Sequence, residues 1–417
     1  MAMNVLYCSD SYLSPAGGGT HSREFVRAFR SVPGVERVEV FAKGEIVVDG
    51  DRDSEKAVIT SKLTEFVQSI KKHLRKVLPG SWEAFILILV RPLSGYARLK
   101  QAIQLTDSNV VILRLTTQFP WIRRIKRDFP AVTVCLEINA TVLNELWPDL
   151  WFKTLWRRYE AEHVKYADRI IVVSEHLKEY YRRQGVPAGK ILVNHNGVDP
   201  DVFSCTTAST CKKTRDAFCI PEDAFVIGYV GGMQPFRRLA EVVEEIARMH
   251  RDGISDVFLV LVGDGTDMVR IKAAIHKNSD VLDGWVLCTG ILPYESIPDI
   301  LQTFDLAIFP FSNQYGSPQK LFEYLAMSRP TIGPDVGAVR EVFQNDKHLR
   351  LASQDGSDFA TIVGELRDSP TDRDRLAKSG REYVLNHYTW NDNAQRAYEH
   401  IKRSMRVRVI RDNQGVR

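Results

Sequence analysis

Residues 315–330, "YGSPQKLFEYLAMSRP", place a cation where a helix disfavours one. Ser317 is predicted as the N-cap and Pro318 as the first helical residue, so that Lys320 stands in the first turn. A lysine there costs about 0.3–1 kcal/mol, because a helix start carries unpaired N–H groups and partial positive charge. The pattern therefore predicts an anion in front of this helix. Glu323, three residues further on, is expected to face the same side as the lysine.

Two glycine-rich turns between predicted strands and helices could also approach a phosphate. Gly17–Gly19 lead into a helix expected near Thr20, and Gly231–Gly232 are followed by Arg237 and Arg238. Backbone N–H groups at a helix start bind anions, and arginines at a helix start are unfavourable without one. The alternatives are ordinary tight turns and exposed arginines.

Other ligand classes are disfavoured. No turn completes G-x-G-x-x-G, since Ser22 and Met268 stand where the last glycine belongs, and NAD binding is therefore not expected. No glycine is followed by Lys and then Ser or Thr, which excludes a Walker loop. The six cysteines include no CxxC pair, which argues against zinc and disulfides and indicates a reducing cytoplasm. We therefore predict no metal and no cofactor.

Short apolar strands alternate with helical patterns along the chain, which predicts an α/β protein with parallel sheets. The polar stretch 205–222 is predicted to connect two doubly wound domains, residues 1–204 and 223–390, with ligands at the carboxyl ends of their strands. Residues 391–417 are predicted as a long amphipathic helix with a basic tail. The predicted strands are NVLYCSD, RVEVFAK, VVILRLT, AVTVCLEI, RIIVVS, KILVNHN, FVIGYVG, VFLVLVGDG, WVLCTG, LAIFPF and RPTIGPD.

Positive charge is concentrated in the first half of the chain. Residues 1–200 hold 29 Lys and Arg against 22 Asp and Glu, and the remainder holds 27 against 30. Basic clusters interleaved with tryptophan or apolar residues, at Lys71–Lys76, Trp121–Pro130 and Trp151–Glu160, suit an anionic membrane or a phosphorylated acceptor. The alternative is a solvated helix face. The longest apolar run, Ala84–Val90, is too short to span a bilayer, and the N-terminus carries no apolar signal region. We expect a cytoplasmic protein that contacts the inner face of a membrane peripherally.

Six signatures then identify a family. In this order and spacing the chain resembles the retaining, nucleotide-sugar-dependent glycosyltransferases of GT-B fold, group 1 or family 4, from Met1 to about Ile401. The resemblance implies two Rossmann-like domains facing a cleft, the first binding the acceptor and the second the nucleoside diphosphate sugar. It also implies that residues 391–417 pack back on the first domain. The signatures are PAGGGTHSREF, IIVVSEHLKEYY with VPAGKILVNHNGVDPDVF, GYVGGMQPFRRL, LVLVGDGTDMVRI, TGILPYESIPDILQTFDLAIFPF and GSPQKLFEYLAMSRPTIGPDVGAVREV.

The resemblance assigns roles around the helix that carries Lys320. Lys320 aligns with the diphosphate-binding lysine, and Glu323 with the glutamate that accepts hydrogen bonds from the ribose hydroxyls. The family's usual acid that contacts the donor sugar is replaced here by tyrosine, as in some branches, so the sugar is expected to meet backbone groups. The residues expected around the donor sugar are Tyr315, Gly316, Ser317 and Pro318.

Arg237 stands where the family has a basic residue or histidine, and it is predicted to be catalytic together with Lys320. Cations aimed at the leaving diphosphate act where charge develops and so stabilise the transition state. This chain departs from the family pattern on both sides of Arg237, since arginine replaces the next glycine and glycine replaces the usual upstream arginine. The further donor-binding residues are Gly18, Gly19, Gly232, Arg238 and Asp264, the last of which is expected to shape its loop near the base.

The acceptor side lacks the histidine that many family members carry. The matching stretch, "TVCLEINATVLNE", offers Glu137 and Asn139 instead. Glu137 could orient or deprotonate the acceptor hydroxyl, or it could be a buried carboxylate that pairs with an arginine, and both interpretations stay open. His21, which follows the glycine turn, is the second candidate on this side.

The leading hypothesis is a glycosyltransferase that moves a sugar from a nucleoside diphosphate sugar to a lipid-linked or saccharide acceptor, with retention at the anomeric carbon. Two alternatives use the same ligand: a nucleotide-sugar epimerase of the same fold, and a non-catalytic nucleotide-sugar-binding protein. No nucleic-acid partner is expected.

Overall fold

The computed structural model describes residues 2–14, 17–47, 95–114, 120–141, 153–205 and 208–414. These form two compact units. The first comprises Met1–Asn194 together with Ala394–Arg417, and the second comprises His195–Asn393. The basic cluster Lys71–Lys76 and the apolar run Ala84–Val90 lie outside the described residues.

The first unit is built on a seven-stranded sheet of order β3-β2-β1-β4-β5-β6-β7, parallel except for β3. Every residue of β5 is buried, which explains its largely apolar sequence, with Thr133 and Glu137 as the exceptions. The strand order reverses between β1 and β4, the point at which doubly wound sheets bind ligands. The strands are β1 (Met3–Cys8), β2 (Val35–Ala42), β3 (Glu45–Val47), β4 (Val110–Arg114), β5 (Thr133–Ile138), β6 (Arg169–Val172) and β7 (Ile191–Val193).

Helices flank this sheet in alternation with its strands. Helix α1 buries Phe25, Val26 and Phe29, which recur at helical spacing and cover the sheet. Ser174 caps α5, because its hydroxyl accepts a hydrogen bond from the N–H of Leu177 at 3.3 Å. The described helices are α1 (Gly17–Arg30), α2 (95–105), α3 (Trp121–Asp128), α4 (Lys153–Val164) and α5 (Glu175–Arg183).

The second unit has a six-stranded, fully parallel sheet of order β10-β9-β8-β11-β12-β13. Its order reverses between β8 and β11. The strands are β8 (Phe225–Val230), β9 (Val257–Val262), β10 (Val286–Gly290), β11 (Leu306–Ile308), β12 (Thr331–Pro334) and β13 (Arg350–Ala352). The helices are α6 (Ala208–Ala217), α7 (Leu239–Arg251), α8 (Met268–Lys277), α9 (Ser279–Leu282), α10 (Ile297–Leu301), α11 (Gln319–Ala326), α12 (Gly337–Arg340), α13 (Phe359–Asp368) and α14 (Pro370–His387).

The stretch 205–222, predicted as a polar connection, contains helix α6 and belongs to the second unit. Polar contacts hold this helix in place: Arg215 pairs with Asp305 at 3.0 Å, and the thiol of Cys211 donates to the carbonyl of Gln302 at 3.3 Å. A helix anchored in this way needs no apolar stripe, which is why hydrophobic periodicity did not predict it.

The last helix, α15 (Trp390–Gln414), returns to the first unit. Arg169 of β6 donates through Nε to the carbonyl of His400 at 2.9 Å, and His400 Nε2 lies 2.9 Å from the carbonyl of Lys190. Ile401 is fully buried beside these contacts. Two α/β units with parallel sheets and a returning C-terminal helix confirm the predicted fold class.

Candidate active site

A buried tyrosine fixes helix α11 to the carboxyl edge of the second sheet. The hydroxyl of Tyr324 donates to the carbonyl of Val230 at 3.1 Å and accepts from the N–H of the same residue at 2.7 Å. Val230 ends β8, the strand next to the reversal of strand order. The first turn of α11, with Lys320, is thereby tied to the edge where this fold class binds its ligands.

Lys320, in the first turn of α11, forms an ion pair with Glu323, which lies about one turn further along the helix. Lys320 Nζ lies 2.6 Å from Glu323 Oε2, and the amide of Gln319 donates to Glu323 Oε1 at 2.8 Å. Glu323 is fully buried, whereas the lysine side chain keeps some exposure. Burial raises the pKa of Glu323, and Lys320 and Gln319 oppose that shift. Lys320 and Glu323 therefore lie on the same side of α11, as predicted. A ligand that binds either charge must weaken the ion pair between them.

Ser317 is not the N-cap of this helix. Helix α11 begins at Gln319 and its cap position is Pro318, a residue without a side-chain acceptor. The Ser317 hydroxyl instead accepts from the N–H of Asn196 at 3.2 Å, and its carbonyl accepts from the Asn196 amide at 2.5 Å. The serine is thus used to anchor the loop before the helix, and no side chain at the cap competes with a ligand for the first N–H groups.

The turn before Ser317 is shaped by an asparagine. The N–H of Gly316 donates to Asn313 Oδ1 at 2.7 Å, and a Cβ on Gly316 would lie 2.7 Å from the same oxygen. A side chain at this position would therefore displace the Asn313 amide that holds the turn. Tyr315 lies half-buried directly before it.

Arg237 reaches the same loop from the other side of the sheet edge. Its Nη1 donates to the carbonyl of Phe311 at 3.0 Å and to the Ser312 hydroxyl at 3.1 Å. Its guanidinium lies 4.2 Å from the ring centre of Phe309, which stacks on Tyr229. The structure therefore brings the predicted cation of the β8 turn onto the loop that leads to Lys320.

Arg238 is engaged elsewhere. It pairs with Glu241 and donates to the carbonyls of Gln354 and Asp355, and its guanidinium lies over the Phe311 ring at 4.2 Å. Its φ of 51° is left-handed, a conformation that favours glycine, so the structure shows why glycine suits this position. These contacts favour a structural role for Arg238 over donor binding.

The glycine loops after β8 and β9 pack on each other through their backbones. A Cβ on Gly263 would overlap the carbonyl of Gly231, and a Cβ on Gly265 would overlap the carbonyl of Met233. Asp264 accepts a hydrogen bond from the N–H of Gly265 at 2.7 Å and so shapes its own loop, as predicted. Gly232 differs, because a Cβ there would meet nothing within 4 Å.

In the first unit, three neighbouring strands bring a polar cluster together at their carboxyl ends. Tyr7 of β1 donates to Glu137 of β5 at 2.7 Å, and Arg114 of β4 lies 3.7 Å from the same carboxylate. His21 of α1 pairs with Glu137 as well, through Nε2. Of these four residues, sequence reasoning identified only His21 and Glu137.

Arg114 of this cluster and two serines contact the backbone of the glycine turn at the start of α1. The carbonyl of Gly18 lies within hydrogen-bonding distance of Arg114 Nη1 at 3.1 Å, the Ser22 hydroxyl at 3.1 Å and the Ser11 hydroxyl at 3.4 Å. A Cβ on Gly19 would overlap the carbonyl of Ser14, so only glycine fits there. The start of α1 is held rigidly, with its N–H groups directed away from the helix.

Glu137 is an ionised and weakly basic carboxylate. Burial raises its pKa, but His21, Arg114 and the Tyr7 hydroxyl outweigh that effect and hold the pKa at about 2. The side chain is almost fully buried. Of the two interpretations left open above, this geometry favours the paired carboxylate, with His21 as the nearer partner and Arg114 as the more distant one.

Asn139 follows β5 at the same edge. Its Oδ1 and the hydroxyl of Thr141 are buried, and neither has a hydrogen-bond partner in the part of the chain that the structure describes. A buried polar atom without a partner is costly, so these two atoms mark a place where a ligand hydroxyl would be stabilised.

The residues that sequence reasoning missed share one signal. Tyr7 and Arg114 stand at or near the ends of otherwise apolar strands, where a polar side chain in a buried run requires a partner. Tyr7 lies 130 residues from Glu137 and Arg114 lies 96 residues from Gly18, and only the sheet order brings these residues together.

Solved structures share this architecture. HepE of Anabaena in complex with UDP superposes with a TM-score of 0.69 at 15% identity, covering 96% of this chain and 100% of that one. Sucrose-phosphate synthase of Thermosynechococcus elongatus superposes with a TM-score of 0.74 at 16% identity, covering 96% and 98%. These similarities establish the GT-B fold.

Two family models match side by side. The model described as Glycosyltransferase Family 4 matches residues 16–202, and the model described as Glycosyl transferases group 1 matches residues 224–369. Together they span most of both units. The chain belongs to the GT-B glycosyltransferases.

Curated relatives of this GT-B glycosyltransferase align over part of their length. The lipopolysaccharide 1,2-N-acetylglucosaminetransferase of Salmonella typhimurium is 23% identical over 253 residues, 58% of this chain and 64% of that protein. The D-inositol 3-phosphate glycosyltransferase 2 of Catenulispora acidiphila is 25% identical over 264 residues, 60% of each. The chain spans less than two thirds of the length of these relatives.

Proposed function

We propose that this chain transfers a sugar from a nucleoside diphosphate sugar to an acceptor hydroxyl, with retention of the anomeric configuration. The second unit binds the donor and the first unit binds the acceptor. The donor enters as a substrate, and the reaction uses neither a resident cofactor nor a metal ion, because lysine and arginine side chains supply the positive charge.

The Lys320–Glu323 pair carries this proposal. A diphosphate in front of α11 competes with Glu323 for the lysine, whose Nζ is held only 2.6 Å from that carboxylate. As the bond to the sugar breaks, the leaving diphosphate gains negative charge, and Lys320 and the helix N–H groups stabilise it there. Glu323, relieved of part of its pairing, accepts the ribose hydroxyls in a buried site where such bonds are strong.

Arg237 contributes through the loop that it holds. Its hydrogen bonds to Phe311 and Ser312 fix the chain just before Tyr315, and its charge lies near the same sheet edge as Lys320. Tyr315, Gly316 and Ser317 then present the donor sugar with backbone groups and one phenol in place of a carboxylate.

The acceptor side rests on Asn139 and the His21–Glu137 pair. The unpartnered Asn139 Oδ1 suits an acceptor hydroxyl, and Glu137 keeps the His21 imidazole oriented at the same sheet edge. The name of one relative describes lipopolysaccharide, which supports a lipid-linked or saccharide acceptor. Such acceptors fit a cytoplasmic protein working at the inner face of a membrane.

A donor panel tests the proposal. Purified protein is mixed with UDP-, GDP-, ADP- and dTDP-sugars, and thermal stabilisation and release of nucleoside diphosphate are measured with and without a membrane extract as acceptor source. UDP-glucose is the first choice, because a HepE structure contains it. We expect stabilisation by one donor class and acceptor-dependent release, with the product anomer matching the donor by proton NMR and with EDTA changing nothing.

Each alternative gives a different result. An epimerase converts the donor into another nucleotide sugar, or releases nucleotide, without any glycosylated product. A non-catalytic binder is stabilised by a donor but releases no nucleotide under any condition. An inverted anomer in the product would refute retention while leaving transfer itself intact.

A further inference from the structure

Helix α4 of the first unit carries an exposed stripe of apolar and aromatic side chains. Leu155 is 63% exposed and Tyr159 is 36% exposed, and Tyr166, just beyond the helix, is 44% exposed. Residues four apart on a helix share a face. The Tyr159 ring contacts His163 at 4.5 Å and Trp156 at 6.0 Å between centroids, so the stripe is continuous with a buried tryptophan beneath it.

Cations surround this stripe. Helices α3 and α4 together carry seven Lys and Arg against three carboxylates. The Arg123 guanidinium of α3 lies over the Tyr166 ring at 5.4 Å, and Arg157 and Arg158 are exposed on α4. We call Leu155, Tyr159, Tyr166, Arg123 and Arg158 the basic aromatic patch.

Carboxylates offset only part of this charge, and Lys126 of α3 pairs with Asp168 at 2.9 Å. Glu160 is buried, and burial raises its pKa to about 7. Glu162 pairs with Lys165 at 2.7 Å, and Asp128 pairs with Arg127 at 2.8 Å. The exposed surface of α4 beside the stripe is therefore positive as well as partly apolar.

We propose that the basic aromatic patch docks the first unit on an anionic lipid bilayer. Tyrosine rings settle at the level of the lipid headgroups, and a leucine projecting from the same helix face enters the acyl boundary. Arginines extend their apolar stems along that surface and place their guanidinium groups on lipid phosphates. A soluble polyanion would use the arginines but would leave Leu155 in water, so the mixture of side chains selects a membrane.

This inference goes beyond sugar transfer and is tested without it. The full chain is sedimented with phosphatidylcholine vesicles, and with vesicles that contain about one third phosphatidylglycerol, in the absence of donor and acceptor. We expect strong binding to the anionic vesicles, weak binding to the neutral ones, and a decrease as salt rises. Failure of the transferase assay would leave this result unaffected.

Three variants separate the two kinds of side chain. Arg123→Glu/Arg158→Glu lowers partition onto anionic vesicles at least about tenfold, as expected from reversing two charges at the surface. Leu155→Ser lowers binding, and Leu155→Trp raises it. Both variants are first checked for wild-type thermal unfolding, because a misfolded chain also binds vesicles. The matched controls are Leu105→Ser, at a residue 70% exposed on α2, and Arg248→Glu, on the second unit; both are expected to bind like the wild type.

Two outcomes would overturn the proposal. One is equal or absent binding of the wild type to anionic and neutral vesicles. The other is tight binding to soluble dextran sulfate together with Leu155→Ser and Leu155→Trp variants that bind vesicles like the wild type, which would show a charge-only surface.

Discussion

At the scale of single residues, two of the buried carboxylates, Glu323 and Glu137, lie in different electrostatic surroundings. Burial raises the pKa of Glu323, and one lysine and one amide act against this shift. Glu137 faces His21, Arg114 and a phenol, and its pKa is held at about 2. Glu323 is therefore the more easily re-paired of the two, which suits a residue that changes partners when a ligand binds.

Lys320→Ala tests the proposed diphosphate contact. We expect donor turnover to fall at least ~10²-fold, as on loss of an oxyanion contact, with a smaller effect on donor binding. The control is Lys277→Ala, which removes an exposed lysine paired with Glu244 in the same unit. Steady-state kinetics measure the turnover of both variants. Wild-type turnover in Lys320→Ala would refute the assignment.

Glu137 makes acid stability a readout of the first unit. Its folded pKa of about 2 lies below the ordinary 4.5, so its stabilisation is fully present above pH 4.5 and is lost as pH falls toward 2. The difference in unfolding free energy between wild type and Glu137→Gln should shrink by roughly 3 kcal/mol over that window. Urea unfolding at several pH values measures it, with Glu36→Gln, at an exposed residue of β2, as control. A difference independent of pH would contradict the pairing.

At the scale of elements, the start of α1 depends on glycine at one position and not at its neighbour. A Cβ on Gly19 would overlap the carbonyls of Ser14 and Ser11, whereas a Cβ on Gly17 would meet nothing within 4 Å. The start of α1 therefore requires glycine at position 19 and has room for a side chain at position 17.

Gly19→Ala and Gly17→Ala therefore form a matched pair. We expect the first to lower the free energy of unfolding by about 1–3 kcal/mol through overpacking. The second should be neutral or stabilising by up to about 1 kcal/mol, because alanine restricts the unfolded chain. Thermal and urea unfolding check both, and equal losses in the two variants would contradict the close approach at Gly19.

Elements with a strong local signal were predictable from the sequence, and those fixed by distant contacts were not. Apolar runs such as Phe225–Val230 gave the eleven predicted strands, because strands that line a core are rich in apolar residues. The edge strands Glu45–Val47 and Arg350–Ala352 were missed, since each consists of one charged residue and only two apolar ones. Ser317 resembled a cap by position, and only its partner Asn196, 121 residues away, shows its use.

At the scale of the whole molecule, α15 completes the first unit from the far end of the chain. Its buried Ala394, Ala397 and Ile401 pack there, and Arg396 donates to Asn194 at 2.9 Å. The first unit is therefore discontinuous in sequence, and its stability depends on residues translated after the entire second unit.

Ile401→Ala tests this dependence. Removing a fully buried isoleucine should cost about 2–5 kcal/mol, confined to the first unit. Hydrogen exchange is expected to show faster opening of Arg169–Val172 and Ile191–Val193, with unchanged protection in the second sheet. Glu399→Ala, which truncates an exposed residue of the same helix, is the control. Equal loss of protection in both units would contradict the division.

The two chain passages into and out of the second unit are joined to each other. The N–H of Val198 donates to the carbonyl of Tyr388 at 2.9 Å, Trp390 returns a bond to Val198 at 3.0 Å, and Asn393 donates to the carbonyl of His195 at 2.6 Å. These hydrogen bonds require residue 393, and the part of α15 that joins the first unit follows directly. A chain that ends before residue 394 would therefore carry every element of the second unit and lack the helical turns that complete the first.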